Sequence, residues 1–117
     1  MIEFITNPIV EVVNDDTFIL RDDFVVKYTD YVFVIPEGFL TDFASVPRIP
    51  FAYMLFAGKA KKAAVIHDWL YTTKPCTRKE ADDIFLCAME SLGIGWFVRQ
   101  AMYRGVRLGG NSYWEKA

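Results

Sequence analysis

The periodicity of the sequence switches between residues 40 and 58, and that switch limits the fold to strands first and helices afterwards. Before it, Phe24–Tyr28 and Tyr31–Ile35 are rich in β-branched and aromatic residues and read as strands. Thr29-Asp30 between them fits a tight hairpin, although no Gly is present. Residues 4–13 and 17–20 read as further strands, split by Asn14-Asp15-Asp16, and Pro36 with Gly38 is expected to end the sheet.

After residue 58 the period becomes helical. Ala60, Ala63, Ala64, His67 and Tyr71 fall at i, i+3, i+4, i+7 and i+11, on one face. The alanines allow a second helix to approach closely. Lys74-Pro75 ends this helix. Thr77-Arg78-Lys79-Glu80 is a capping box that starts the next one, and Gly93 stops it. Its inner face is Arg78, Ala81, Asp82, Phe85, Ala88 and Leu92. A third helix is expected over residues 96–108, before Gly109-Gly110. The expected class is therefore α+β: N-terminal antiparallel strands with a hairpin, then a core of two or three helices built on an antiparallel pair. At 117 residues the chain reads as one domain. Residues 1–40 are strand-rich, 41–58 form a loop, 59–108 form the helical core and 109–117 form a tail.

Composition excludes several classes. Apolar residues make up 53 %, ample for a core, and aromatics reach 16 %, enough to leave surface for a partner or a lipid face. A net charge of −2 gives no general pull toward nucleic acid. No run is long or apolar enough to span a bilayer, and the N-terminus shows no basic and apolar leader. A reducing cytoplasm is the expected location. Cys76 and Cys87 make no disulfide framework and read as plain thiols.

One histidine concentrates the chemistry. His67 is the sole histidine, and it sits in His67-Asp68-Trp69-Leu70-Tyr71. The link between the two central helices is short, so they should pack antiparallel. His67 and Asp82 are equally far from the middle of that link, so equal helical rise puts them in one layer. Tyr71 and Arg78 are matched one turn nearer the link. Spacing alone therefore predicts a His67–Asp82 contact. It leaves Asp68 turned away by about 100°, toward a neighbouring loop. The loop chosen for it is Thr41-Asp42-Phe43-Ala44-Ser45-Val46-Pro47-Arg48. Asp42, Asp68 and backbone carbonyls are hard oxygen donors, suited to Ca²⁺; one His and two separated Cys supply no standard zinc set.

Other readings stand beside these. A buried His with an Asp partner can be a satisfied polar pair in a core. Arg78 and Asp82 are i, i+4, the spacing of a plain helix salt bridge, which is the preferred reading of Arg78. Its alternative is a substrate contact. Arg48 is placed to bind an anionic head group, or to pair with Asp42 or Asp68. Residues 49–57 are apolar and are followed by Lys59, Lys61 and Lys62, which suits a lipid-contacting edge as well as core packing.

Two resemblances follow from these residues. The 41–48 loop, His67-Asp68-Trp69-Leu70-Tyr71, Arg78, Ala81-Asp82, Phe85, Val106-Arg107, Gly109-Gly110 and Trp114 resemble a family of short phage and prophage proteins known as domain of unknown function 1353. This likeness covers about residues 24–114. The middle third also resembles prokaryotic-type phospholipase A2. Asp42 and Ser45 match that family's loop, His67, Asp68 and Tyr71 its first helix, and Asp82 and Phe85 its second. The second resemblance implies His67 as general base on water, Asp82 orienting the imidazole and Tyr71 bonding Asp82. It also implies Asp42 and Asp68 as calcium ligands, with a backbone carbonyl near Phe43. The chain departs from it where Phe43 and Ala44 replace the usual loop glycine and where no disulfide framework exists. Two functions remain open: a calcium-dependent ester hydrolase acting on phospholipid, and a non-catalytic phage virion, tail or assembly component that binds other phage structural proteins.

Overall fold

The computed structural model describes residues 2–6, 9–13, 17–41 and 60–116, and its class is α+β. It divides near residue 42 into a strand-bearing unit and a helical unit.

The first unit holds two antiparallel sheets of three strands each. One has the order β1 (Ile2–Phe4), β4 (Phe24–Tyr28), β5 (Tyr31–Ile35); the other has the order β2 (Val10–Val12), β3 (Phe18–Leu20), β6 (Leu40–Thr41). Phe24 and Val26 alternate inward on β4 and are fully buried, as are Leu20 and Ile35. The β4–β5 hairpin closes at Tyr28↔Tyr31, so Thr29 and Asp30 form its turn as expected. Thr29 takes a φ of 51°, the left-handed region that glycine would occupy without strain.

One strand expectation is corrected and one holds in part. Residues 4–13 are not one strand, because β1 pairs with β4 while β2 pairs with β3 in the other sheet. The break falls where the amides of Ile5 and Thr6 both donate to the carbonyl of Val25. The Thr6 hydroxyl then accepts from the Val25 amide at 2.9 Å, which consumes the next ladder position. Pro36 and Gly38 end β5 and with it the first sheet, but not the strand-bearing region. Gly38, at φ 90°, turns the chain so that its amide donates to Leu20, and β6 then joins the second sheet beside β3.

In the second unit, four helices lie among the described residues: α1 (Ala60–Thr73), α2 (Arg78–Ser91), α3 (Trp96–Gly109) and α4 (Asn111–Lys116). The capping box forms: Thr77 accepts from the Glu80 amide at 3.2 Å, and Glu80 accepts from the Thr77 amide at 3.3 Å. The α1–α2 link turns at Lys74, which has a φ of 52°. Gly93, at φ 75°, follows the end of α2. The stretch expected to be a tail carries α4, which packs against α3 and α1. The core of this unit combines Ala63, Ala64, Ile66 and Leu70 of α1, Ala81, Phe85, Ala88 and Met89 of α2, and Met102 and Val106 of α3. Among the described residues, no helix is long and apolar enough to cross a membrane.

Candidate functional site

The alanine-rich face of α1 carries His67 and Tyr71 one turn apart and both fully buried, and α2 presents Asp82 to them. His67 Nε2 lies 2.8 Å from Asp82 Oδ1, within the range expected from the helix spacing. Tyr71 donates its hydroxyl to the same oxygen at 2.7 Å. The imidazole is held between the rings of Tyr71 and Phe85, at centroid distances of 4.2 and 4.6 Å. Trp114 of α4 stands edge-on to Tyr71 at 5.2 Å.

The other carboxylate oxygen belongs to cations. Arg107, from the last turn of α3, donates to Asp82 Oδ2 at 2.8 Å. Arg78 approaches the same oxygen at 3.6 Å. Arg78 also donates to the carbonyls of Val106 and Arg107 at 3.0 and 3.3 Å, so its guanidinium closes the C-terminus of α3. The salt-bridge reading of Arg78 thus has its geometry, with a helix cap added. Gly110 leaves room for this arrangement. A Cβ there would meet the Val106 carbonyl oxygen, lie 2.5 Å from the Tyr71 hydroxyl and 3.2 Å from Arg78 Nη1.

Electrostatics fix the protonation states. Burial pushes the His67 pKa below its ordinary value, against the pull of Asp82, and Arg78 adds to the lowering. Burial would raise that of Asp82, but hydrogen bonds from His67, Tyr71 and Arg107 outweigh it and hold the carboxyl below its ordinary value. Burial and the bond to Asp82 raise that of the Tyr71 phenol. The resulting state is a neutral imidazole beside an ionised carboxylate that has two guanidiniums as counter-charges. Nε2–H then donates to the ionised Asp82, which fixes the tautomer of the ring. Among the described residues, no buried side-chain nitrogen or oxygen lacks a partner.

Asp68 lies on α1, half-buried and off the His67–Asp82 axis. Asp42, Phe43, Ser45, Arg48 and the apolar 49–57 stretch lie outside the described residues, so Asp68 is the one member of the expected calcium set that the structure describes. Its carboxylate fits a hard cation in kind. Among the described residues there is no cluster of three or more His, Cys, Asp or Glu side chains that could hold a metal ion.

Arg107, Gly110 and Trp114 stand in the site although the helix pattern gave them no role. The missing signal for Arg107 was one of valence. Helix spacing supplied His67 and, at i, i+4, Arg78, but Arg78 stays 3.6 Å from Oδ2, and a buried carboxylate needs both oxygens hydrogen-bonded.

A family model described as protein of unknown function (DUF1353) matches residues 18–106. That span contains His67, Asp68, Tyr71, Arg78 and Asp82 and stops one residue before Arg107. No curated protein and no solved structure matches the chain.

Proposed function

We propose that this chain, which belongs to the DUF1353 family, is an ester hydrolase with His67 as general base and phospholipid as its substrate class. The observation that carries the proposal is the buried His67 Nε2···Asp82 Oδ1 contact of 2.8 Å, with Asp82 itself clamped by Tyr71 and Arg107. His67 takes a proton from the water whose oxygen attacks the ester carbonyl. Asp82 stabilises the imidazolium, which then returns its proton to the departing alkoxide. Asp82 and Tyr71 work as positioning residues, since they hold the ring and its tautomer. Asp68, Asp42 and a backbone carbonyl near Phe43 would hold Ca²⁺. When bound, that ion supplies polarisation of the carbonyl and stabilisation of the oxyanion. Arg48 is assigned to the anionic head group. Arg78, engaged by Asp82 and the α3 carbonyls, is assigned to the frame of the site. The phospholipase A2-like character of the helix pair and the phage or prophage setting rest on the resemblance of the motifs.

A second reading is favoured by one observation: His67 and Asp82 are both 0 % exposed, and their polar atoms are satisfied within the protein. On that reading the pair is a core element of a phage virion or assembly component. Turnover of short-chain and micellar phospholipids at millimolar calcium separates the two. The hydrolase reading expects activity in the wild type. It also expects activity to vanish in His67→Gln with little change in melting temperature, because Gln keeps one hydrogen bond. Ester turnover by His67→Gln equal to wild type, or a wild type without turnover, overturns it.

A further inference from the structure

The outward stripe of α3 is apolar and cationic, and nothing in the site uses it. Phe97 is 82 % exposed and Leu108 87 %, the two most exposed large hydrophobic residues among those described. Helical spacing places Phe97, Ala101, Arg104 and Leu108 along one line, opposite the buried Met102 and Val106. Trp96 is more than half exposed and stands edge-on to Phe97 at 5.0 Å. The helix carries Arg99, Arg104 and Arg107 and no acidic residue. Arg107 turns inward to Asp82, and Arg99 gives an N–H to the Ile94 carbonyl, while Arg104 lies exposed on the stripe itself.

We propose that this stripe is an adsorption face for an anionic phospholipid bilayer. Trp and Phe suit the head-group level of a membrane, and Leu108 extends the apolar line by one helix length. Arg104 meets the negative lipid charge. The net charge of −2 does not oppose this, because attraction at a surface is set within a Debye length, about 8 Å at physiological salt. A second copy of the chain fits less well. Pairing the stripe with itself would set Phe97 against Leu108, but it would also bring two Arg104 side chains into one seam of helices without an acid. The proposal does not depend on hydrolysis.

Co-sedimentation with vesicles of diether lipids tests it, because these lipids have no ester to cleave. The wild type should bind vesicles with roughly one-third phosphatidylglycerol in phosphatidylcholine, and bind about fivefold more weakly to phosphatidylcholine alone. The doubly substituted Phe97→Ser, Leu108→Ser protein and the single variant Arg104→Glu should each lose about tenfold or more while melting as wild type does. A wild type that stays in the supernatant overturns the proposal. So does equal binding by both variants. Sedimentation velocity provides the competing outcome: a wild-type dimer abolished by the double substitution, with no vesicle binding, assigns the stripe to a second copy instead.

Discussion

Arg107 donates to Oδ2 of Asp82 at 2.8 Å while His67 and Tyr71 share Oδ1, so one buried carboxylate joins three helices. Removing either end of the Arg107–Asp82 pair should cost stability unequally. Arg107 is 31 % exposed in its side chain, and Arg107→Met should cost about 1–2 kcal/mol. Asp82→Asn leaves two guanidiniums without their counter-charge and should cost about 3 kcal/mol. The two losses act through one contact, so the double variant should fall short of their sum. Urea unfolding of the four proteins measures this, and strictly additive losses would show that the pair does not interact.

The pH dependence follows from the same network. The folded protein holds the pKa values of both His67 and Asp82 below their ordinary values. The unfolded chain therefore binds more protons than the folded one as pH falls, and stability declines on acidification. The His67 contribution is present above its unfolded pKa, about 6.5, and is lost as pH falls from there toward its folded value. The Asp82 contribution is present above its own unfolded value, about 3.9, and is lost below it. Melting temperature against pH should show the first decline in wild type and not in His67→Gln, with the second decline kept in both. Superimposable curves between pH 5 and 6.5 would mean that burial does not hold His67 neutral.

The His67–Asp82 pair was legible because two local facts suffice to place it, a short link and equal helical rise on either side. The Thr77 capping box and the β4–β5 hairpin were legible for the same reason. Partner choice between distant segments was not. Whether residues 4–13 extend one sheet or divide between two depends on the Thr6 hydroxyl meeting the Val25 amide, a contact across 19 positions. Arg107 reaches Asp82 across 25 positions, and no periodicity of either helix encodes that. The helix α4 has six residues, too few for an apolar period to stand out from a tail. Asp42, the other half of the expected Asp42–Asp68 pair, lies outside the described residues.

Thr29 offers a test of turn chemistry. Its φ of 51° is unfavourable for a β-branched residue, and its hydroxyl donates to the carbonyl of the preceding Tyr28. Thr29→Asn keeps a polar side chain and tolerates the left-handed conformation. It should stabilise the protein by about 0.5–1 kcal/mol. The melting temperature would rise with no change in hydrolysis or vesicle binding. An unchanged or lower melting temperature would show that the turn stores no strain.

Adjacent glycines give the sharpest contrast. Gly109 and Gly110 sit side by side at the end of α3, and the sequence pattern treats both as stop signals. Their surroundings differ. A Cβ on Gly109 meets nothing within 4 Å, while one on Gly110 collides with the Val106 carbonyl oxygen, the Tyr71 hydroxyl and Arg78. Relief therefore needs a shift of the backbone at the end of α3 as well as of Tyr71 and Arg78, the groups that hold Asp82. Gly109→Ala should be neutral or stabilise by up to about 1 kcal/mol, as for Gly to Ala in a helix. Gly110→Ala should destabilise by about 1–3 kcal/mol through overpacking. It should also push the Tyr71 hydroxyl away from Asp82 and lower hydrolysis by more than its loss of stability explains. Thermal melts of the two variants read the first effect, and turnover well below the melting temperature reads the second. Equal stability of the two alanine variants would show that Gly110 serves only to end the helix and has no part in holding the site.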